Sequence, residues 1–95
     1  MERGVTSAIV EVRAAEGGAD ACLLVHEQVG IYAAAAKRNG FCLEMIDETE
    51  GYAALRVPDG GWFVNEAGGH RFQRIPPTEL RGRVHTSTVT VAVLP

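Results

Sequence analysis

Apolar and polar residues alternate from Ala8 to Ala14. Ala8, Val10, Val12 and Ala14 fall on one face, Ile9, Glu11 and Arg13 on the other. A period of two predicts a half-buried strand. Glu16-Gly17-Gly18 interrupts the alternation as a turn. From Ala19 to Asn39 the period lengthens: Val25, Val29, Tyr32 and Ala36 recur at helical spacing, and Ala33 to Ala36 are strong helix formers. Asp20 suits the positive end of this helix's dipole and Lys37 and Arg38 the negative end, with Gly40 just past the cap.

Alternation resumes at Phe41 to Ile46, predicting a second strand, and Gly51 to Val57 predicts a third. Pro58-Asp59-Gly60-Gly61 is a strong turn signal, and Trp62 to Ala67 is open between a short helix and a strand. His70 to Ile75 is a fourth strand candidate, Pro76 to Arg83 a loop, and Val84 to Leu94 a long last strand with Val89, Val91 and Val93 on one side. The order predicts an α+β domain: one long helix packed on a mixed, mainly antiparallel sheet of about five strands. Residues 1–95 read as one domain, with 1–6 as a flexible lead-in and no internal repeat.

Composition supports a soluble globular domain: 46% of residues are hydrophobic and 22% charged, too apolar for a disordered chain. No apolar run is long enough to span a bilayer, and Met1-Glu2-Arg3-Gly4 does not open a secretory signal. Cys22 falls in the predicted helix and Cys42 in the second strand, in neither a disulfide framework nor a zinc pattern. A reduced, cytoplasmic protein without membrane association is expected. The net charge of −3 argues against general affinity for nucleic acid, but its distribution changes that reading. Residues 1–70 carry five Lys/Arg against eleven Asp/Glu, a balance of −6. Residues 71–95 carry Arg71, Arg74, Arg81 and Arg83 against Glu79 alone, a balance of +3. A basic quarter on an acidic body is either a local polyanion site or a solvated charged loop.

The chain offers little to an enzyme. His85 and Ser87 would share a strand face, but no nucleophile elbow or oxyanion glycine cluster surrounds them. His26, His70 and His85 lack metal-site spacing, so neither a metal nor another cofactor is expected. Glu16-Gly17-Gly18-Ala19-Asp20 feeds a helix N-terminus from a strand but lacks the lysine and third glycine of nucleotide-binding fingerprints. A tight turn is the plainer reading. Backbone donors beside one acidic acceptor, Asp20, suit the Watson–Crick edge of a pyrimidine better than a phosphate, which the carboxylate would repel.

The richest stretch runs from His70 to Glu79 and on through Arg81 to Thr88, placing amides, hydroxyls and a histidine between arginines. Single-stranded RNA is read by such a mixture: polar groups bond base edges, flat rings stack, and arginines hold the backbone. Pro76 and Pro77 stiffen the loop and present Thr78 with less entropy lost on binding, and a hydroxyl that both donates and accepts can serve two bases.

These residues resemble bacterial-type class I peptide chain release factors, over nearly the whole chain. The resemblance rests on Gly17-Gly18-Ala19-Asp20-Ala21 before a long helix, on Gly69-His70-Arg71-Phe72-Gln73-Arg74-Ile75-Pro76-Pro77-Thr78-Glu79, on Gly82-Arg83-Val84-His85-Thr86-Ser87, and on Val91-Ala92-Val93-Leu94-Pro95. Pro76-Pro77-Thr78 matches the Pro-x-Thr motif of the type that reads UAA and UAG. The resemblance implies that Thr78 contacts the first two bases and that the helix tip at Gly17 and Asp20 reads the first uridine. It also implies that His85 stacks between the second and third bases, while Gln73 and Thr86 bond the third. Read without the family, Gln73 and Thr86 are ordinary strand polar groups and His85 a loop-end histidine. The implied partners are the small-subunit decoding site of the ribosome and an mRNA stop codon.

Three features differ from the family pattern: Ala19-Asp20 stands where Glu-Glu is usual, the segment between Gly51 and Gly69 is shorter, and Leu80-Arg81 replaces a small polar pair. The Gly-Gly-Gln motif of peptidyl-tRNA hydrolysis, which the family carries in a following domain, does not occur in these residues. The chain is then either a fragment beside a separate or missing Gly-Gly-Gln domain or a stand-alone relative without hydrolysis. A stand-alone form would leave a sheet edge exposed to self-association. A second function class, a protein-interaction adaptor or regulator that keeps the loop by descent, fits the same differences.

Overall fold

The computed structural model describes residues 7–95, so the lead-in expected at 1–6 lies outside the described residues. The elements are β1 (Ala8–Glu16), α1 (Gly18–Arg38), β2 (Glu44–Thr49), β3 (Tyr52–Val57), two single 3₁₀ turns (Gly60–Trp62 and Val64–Glu66), β4 (Gly68–Arg74) and β5 (His85–Leu94). The strands form one sheet in the order β2-β3-β1-β5-β4, and every neighbouring pair is antiparallel. The α+β architecture read from the sequence is the observed one, with α1 laid across one face.

Strand alternation decides which face is covered. Ala8, Val10 and Val12 of β1, Ala53, Leu55 and Val57 of β3, and Val89 and Val91 of β5 point under the helix and are buried. Leu24, Val25 and Tyr32 of α1 meet them, and Phe63 from between the 3₁₀ turns closes one side. Burying each of its valine, leucine and phenylalanine side chains contributes roughly 1.5–3 kcal/mol, so this single layer holds the fold together. Tyr32 keeps its hydroxyl satisfied inside it, accepting from Gln28 Nε2 at 2.9 Å and donating to Glu66 Oε1 at 2.9 Å. Its ring meets Phe63 edge to face.

The second strand begins later than its sequence pattern predicts, at Glu44 rather than Phe41. The helix end accounts for this. Gly40, with φ 78°, follows the cap Asn39, and its N–H donates to Lys37 O at 3.3 Å while Phe41 N–H donates to Ala36 O at 3.0 Å. Those two bonds are a Schellman closure, which commits Phe41 to terminating the helix. The Phe41 ring then stacks obliquely on Trp62, so residues 41–43 form a connection and Cys42 lies outside any strand. Both cysteines are free thiols. The segment Trp62 to Ala67 forms turns rather than a strand, started by Asp59, whose Oδ1 accepts from Gly61 N at 2.9 Å.

Candidate nucleic-acid interface

The sequence-selected residues gather at one end of the molecule, where α1 begins, β4 ends, β5 begins and residues 75–84 connect the two strands. In the β4–β5 ladder Gln73 stands directly opposite Thr86, and Arg74 opposite His85. Opposed residues in an antiparallel pair project to the same side. Phe72 and Ser87, the pair behind them, face the helix. Gln73 and Thr86 therefore project together from the uncovered face, and both are exposed.

The connecting loop turns at Pro76-Pro77-Thr78-Glu79, closed by Glu79 N–H donating to Pro76 O at 2.9 Å. Proline at the second position of such a turn has its φ preset. Pro76 is buried as the anchor, and Pro77 and Thr78 are exposed at the tip. Thr78 lies against the helix start: it lines a cavity of about 300 Å³ with Ala19, Cys22, Leu23, His26 and Glu50. Arg71 and Arg81 are exposed nearby, Arg71 opposite Thr88 on β5.

Asp20 is placed differently from the exposed acceptor expected at the helix tip. Its side chain is 1% exposed and is occupied within the fold. Ser87 Oγ donates to Asp20 Oδ2 at 2.8 Å, and Arg74 donates through Nε at 3.1 Å to Oδ1 and through a terminal nitrogen to the same oxygen. The hydrogen bonds from Arg74 hold its carboxyl below the usual aspartate range despite burial, with Ser87 adding to them. Arg74 is correspondingly held protonated, and it also reaches Glu27 Oε1 at 3.2 Å. Of the four arginines in the basic quarter, Arg74 is thus occupied by the carboxylates of Asp20 and Glu27. What the helix tip leaves exposed is Gly17, Gly18 and Ala19.

Gly17 is required there on two counts. Its φ is 107°, and a Cβ on it would lie 2.3 Å from Ser87 Oγ and 2.7 Å from Ser87 Cβ. The strand-to-helix turn is therefore pressed directly onto β5.

Glu79 is a residue whose role sequence reasoning missed. Its side chain is 2% exposed, in a loop whose other residues mostly face solvent. Oε2 accepts from Arg81 N–H at 2.6 Å and Arg83 Nε at 3.1 Å. Oε1 lies 3.1 Å from a terminal nitrogen of Arg83 and 2.8 Å from His85 Nε2. The Arg83 side-chain hydrogen bonds, opposed by desolvation and helped by backbone N–H groups, hold its carboxyl down at about 2. The sequence signal was present, since Glu79 and Arg83 stand four apart around a glycine, but a loop places no face on such a spacing.

The Ser87–His85 pair considered for catalysis is not assembled: Ser87 donates to Asp20 and His85 meets Glu79. Among the described residues no group of three or more His, Cys, Asp or Glu is arranged to hold a metal. No helix of the described residues is long and apolar enough to cross a membrane. A cleft of about 350 Å³, lined by residues including Ser7, Asp59 and Pro95, lies away from this cluster and brings no comparable set of polar groups together.

The model of the PCRF domain matches residues 2–91. The chain belongs to the PCRF-domain family. It is 45% identical to peptide chain release factor 1 of Rubrobacter xylanophilus over 92% of its length, and 43% identical to peptide chain release factor 1 of Thermus thermophilus over 93%. It also superposes on a solved structure of RF2 of Thermus thermophilus with a TM-score of 0.87, at 33% identity over 96% of the chain. It is homologous to bacterial class I release factors, with relatives of both numbered types. The chain spans only 26–28% of the length of these relatives.

Proposed function

We propose that this domain recognises UAA and UAG stop codons in the ribosomal decoding site. Thr78 contacts the first two bases, and the helix tip at Gly17 offers backbone donors to the first uridine. His85 stacks against the second and third bases, and Gln73 with Thr86 bonds the third. The observation that carries this reading is convergence. Two hydroxyls, an amide, an imidazole and a glycine-rich helix start, drawn from three separate stretches of sequence, lie at one end of the fold, Thr78 beside the helix start and Gln73 with Thr86 on the uncovered face. Gln73 opposite Thr86 gives one base edge a donor and acceptor from each side, which suits a position accepting either purine. Pro76 and Pro77 support a stiffened loop, and Arg71 and Arg81 supply exposed positive charge for the RNA backbone. Because its carboxylate is already occupied, Asp20 serves this site by fastening the helix tip rather than by touching a base.

A second reading is favoured by Leu80, which is 97% exposed beside Thr78's turn, and by half-exposed Trp62. Apolar side chains in those places suit a protein partner, as in an adaptor that has lost codon reading.

A graft decides between the two. The domain is joined to the N-terminal and Gly-Gly-Gln domains of a release factor, and peptide release is followed on ribosomes programmed with UAA, UAG, UGA or a sense codon. Release on UAA and UAG alone, abolished by Thr78→Ala, supports codon reading. A folded, ribosome-bound chimera silent on every stop codon leaves the adaptor.

A further inference from the structure

Loops that recognise flexible ligands lose affinity to the entropy of ordering themselves unless something orders them beforehand. Prolines stiffen one half of this loop. The other half, Leu80 to Val84, contains Gly82 at φ 73° and no regular structure, yet it must deliver His85 in a fixed place. Glu79 is the side chain that reaches across it. Each carboxylate oxygen receives two contacts, so one nearly buried group ties the Arg81 amide, the Arg83 guanidinium and the His85 ring to the residue directly after Thr78.

We propose that Glu79 is a positioning residue for codon reading: its carboxylate sets the place of the His85 ring relative to Thr78. This rests on the codon-reading assignment above and deepens it. Glu79 touches no base. It acts by presenting His85 with Nε2–H turned inward to the carboxylate, leaving the ring face for stacking. A glutamine cannot substitute, because its amide keeps one oxygen and turns the other position into a donor, which faces Arg81 N–H or His85 Nε2–H instead of accepting from it. An aspartate keeps the charge but falls one methylene short.

The test uses the 95-residue chain with two readouts. The first is nuclear magnetic resonance of the His85 ring nitrogens and of hydrogen exchange at the Arg81 amide. The second is the concentration of chain that halves peptide release by a full-length release factor on ribosomes programmed with UAA, UAG or UGA. In the parent chain and in Leu80→Ala, His85 carries its proton on Nε2 and the Arg81 amide is protected. Glu79→Gln stays folded but loses both signatures, and about tenfold more of it is needed on UAA and UAG, the size expected for losing a charge-assisted hydrogen bond. Glu79→Asp falls between the two. If Glu79→Gln releases His85 yet competes as well as the parent, the positioning role is overturned and codon reading stands. If Glu79→Gln leaves the His85 and Arg81 signals unchanged, positioning is overturned at the structural level. A parent chain that competes equally on all three codons with His85 firmly held overturns the codon-reading assignment, and the positioning role with it.

Discussion

Arg74 and His85 face each other across the last rung of the β4–β5 ladder, and each is held by a different carboxylate: Arg74 by Asp20, His85 by Glu79. The first carboxylate comes from the start of the helix and the second from the loop. The rung thus joins two fastenings, one binding the strand pair to the helix and one binding the loop to the strand pair. Gln73 and Thr86 stand on the adjacent residues, so their spacing depends on the same rung.

Removing the first fastening destabilises the whole domain. Asp20→Ala leaves Ser87 without its acceptor in a buried place and strips Arg74 of its main partner. Arg74 keeps Glu27 and some solvent, so the expected loss is about 2–3 kcal/mol rather than the larger cost of stranding a buried charge. Glu27→Ala, at the exposed end of the same network, costs under about 1 kcal/mol. Urea unfolding of the two variants measures both, and equal losses would overturn the ranking.

How much of this was legible beforehand varied with the range of the interaction. The helix and the first, third and last strands follow from periodicity, because each buries one face of a regular element. The second strand was displaced because Phe41, apolar and in step with Leu43, is used to close the helix instead. Asp20 read as a partner for the helix dipole, which is what its local sequence supports. Its actual partner, Arg74, lies 54 residues on, and no local pattern carries that pairing. Glu79 was visible as one letter of a motif and as an acid four residues before Arg83, but its contacts depend on how an irregular loop folds back. Gln73 and Thr86 were chosen as residues, but their opposition across a hairpin follows from the loop's closure, which only the fold displays.

Both fastenings predict acid sensitivity. The folded carboxyls of Asp20 and Glu79 lie below their ordinary values, so the unfolded chain binds protons first as pH falls. The stability they supply is fully present above the ordinary carboxylate range near 4 and is lost as pH drops toward the folded values, about 2 for Glu79. Stability measured from pH 6 to pH 2 therefore declines in the parent. The decline is shallower in Asp20→Asn and in Glu79→Gln, each of which removes one titrating group. Parallel curves for parent and variants would exclude these two residues as the source.

Gly17→Ala tests the turn that presses the helix start onto β5. The added Cβ meets Ser87 Oγ at 2.3 Å, and the backbone holds a φ of 107° that alanine resists. A loss of about 2–4 kcal/mol is expected from strain and overpacking together. Ser87→Ala does not rescue it, because Ser87 Cβ itself stands 2.7 Å from the new atom. Ser87→Gly, which clears both atoms, recovers part of the loss. Thermal unfolding of the single and double variants reads this, and full rescue by Ser87→Ala would show that only the hydroxyl mattered.

Gln73 and Thr86 give the sharpest functional prediction, because cross-strand neighbours proposed to serve one base should not act independently. In the grafted factor, Gln73→Ala and Thr86→Ala each lower release. The double variant loses less than the product of the single losses, with a coupling of about 0.5–2 kcal/mol, as for residues in one contact network. Thr78→Ala combined with either change is closer to additive, since Thr78 sits on the loop tip and its proposed contacts are with different bases. All three residues are exposed, so none of the single changes alters stability by more than about 0.5 kcal/mol, which separates lost recognition from lost fold. Strict multiplicativity between Gln73 and Thr86 would mean that they serve different bases, and the shared-edge assignment would then have to be withdrawn.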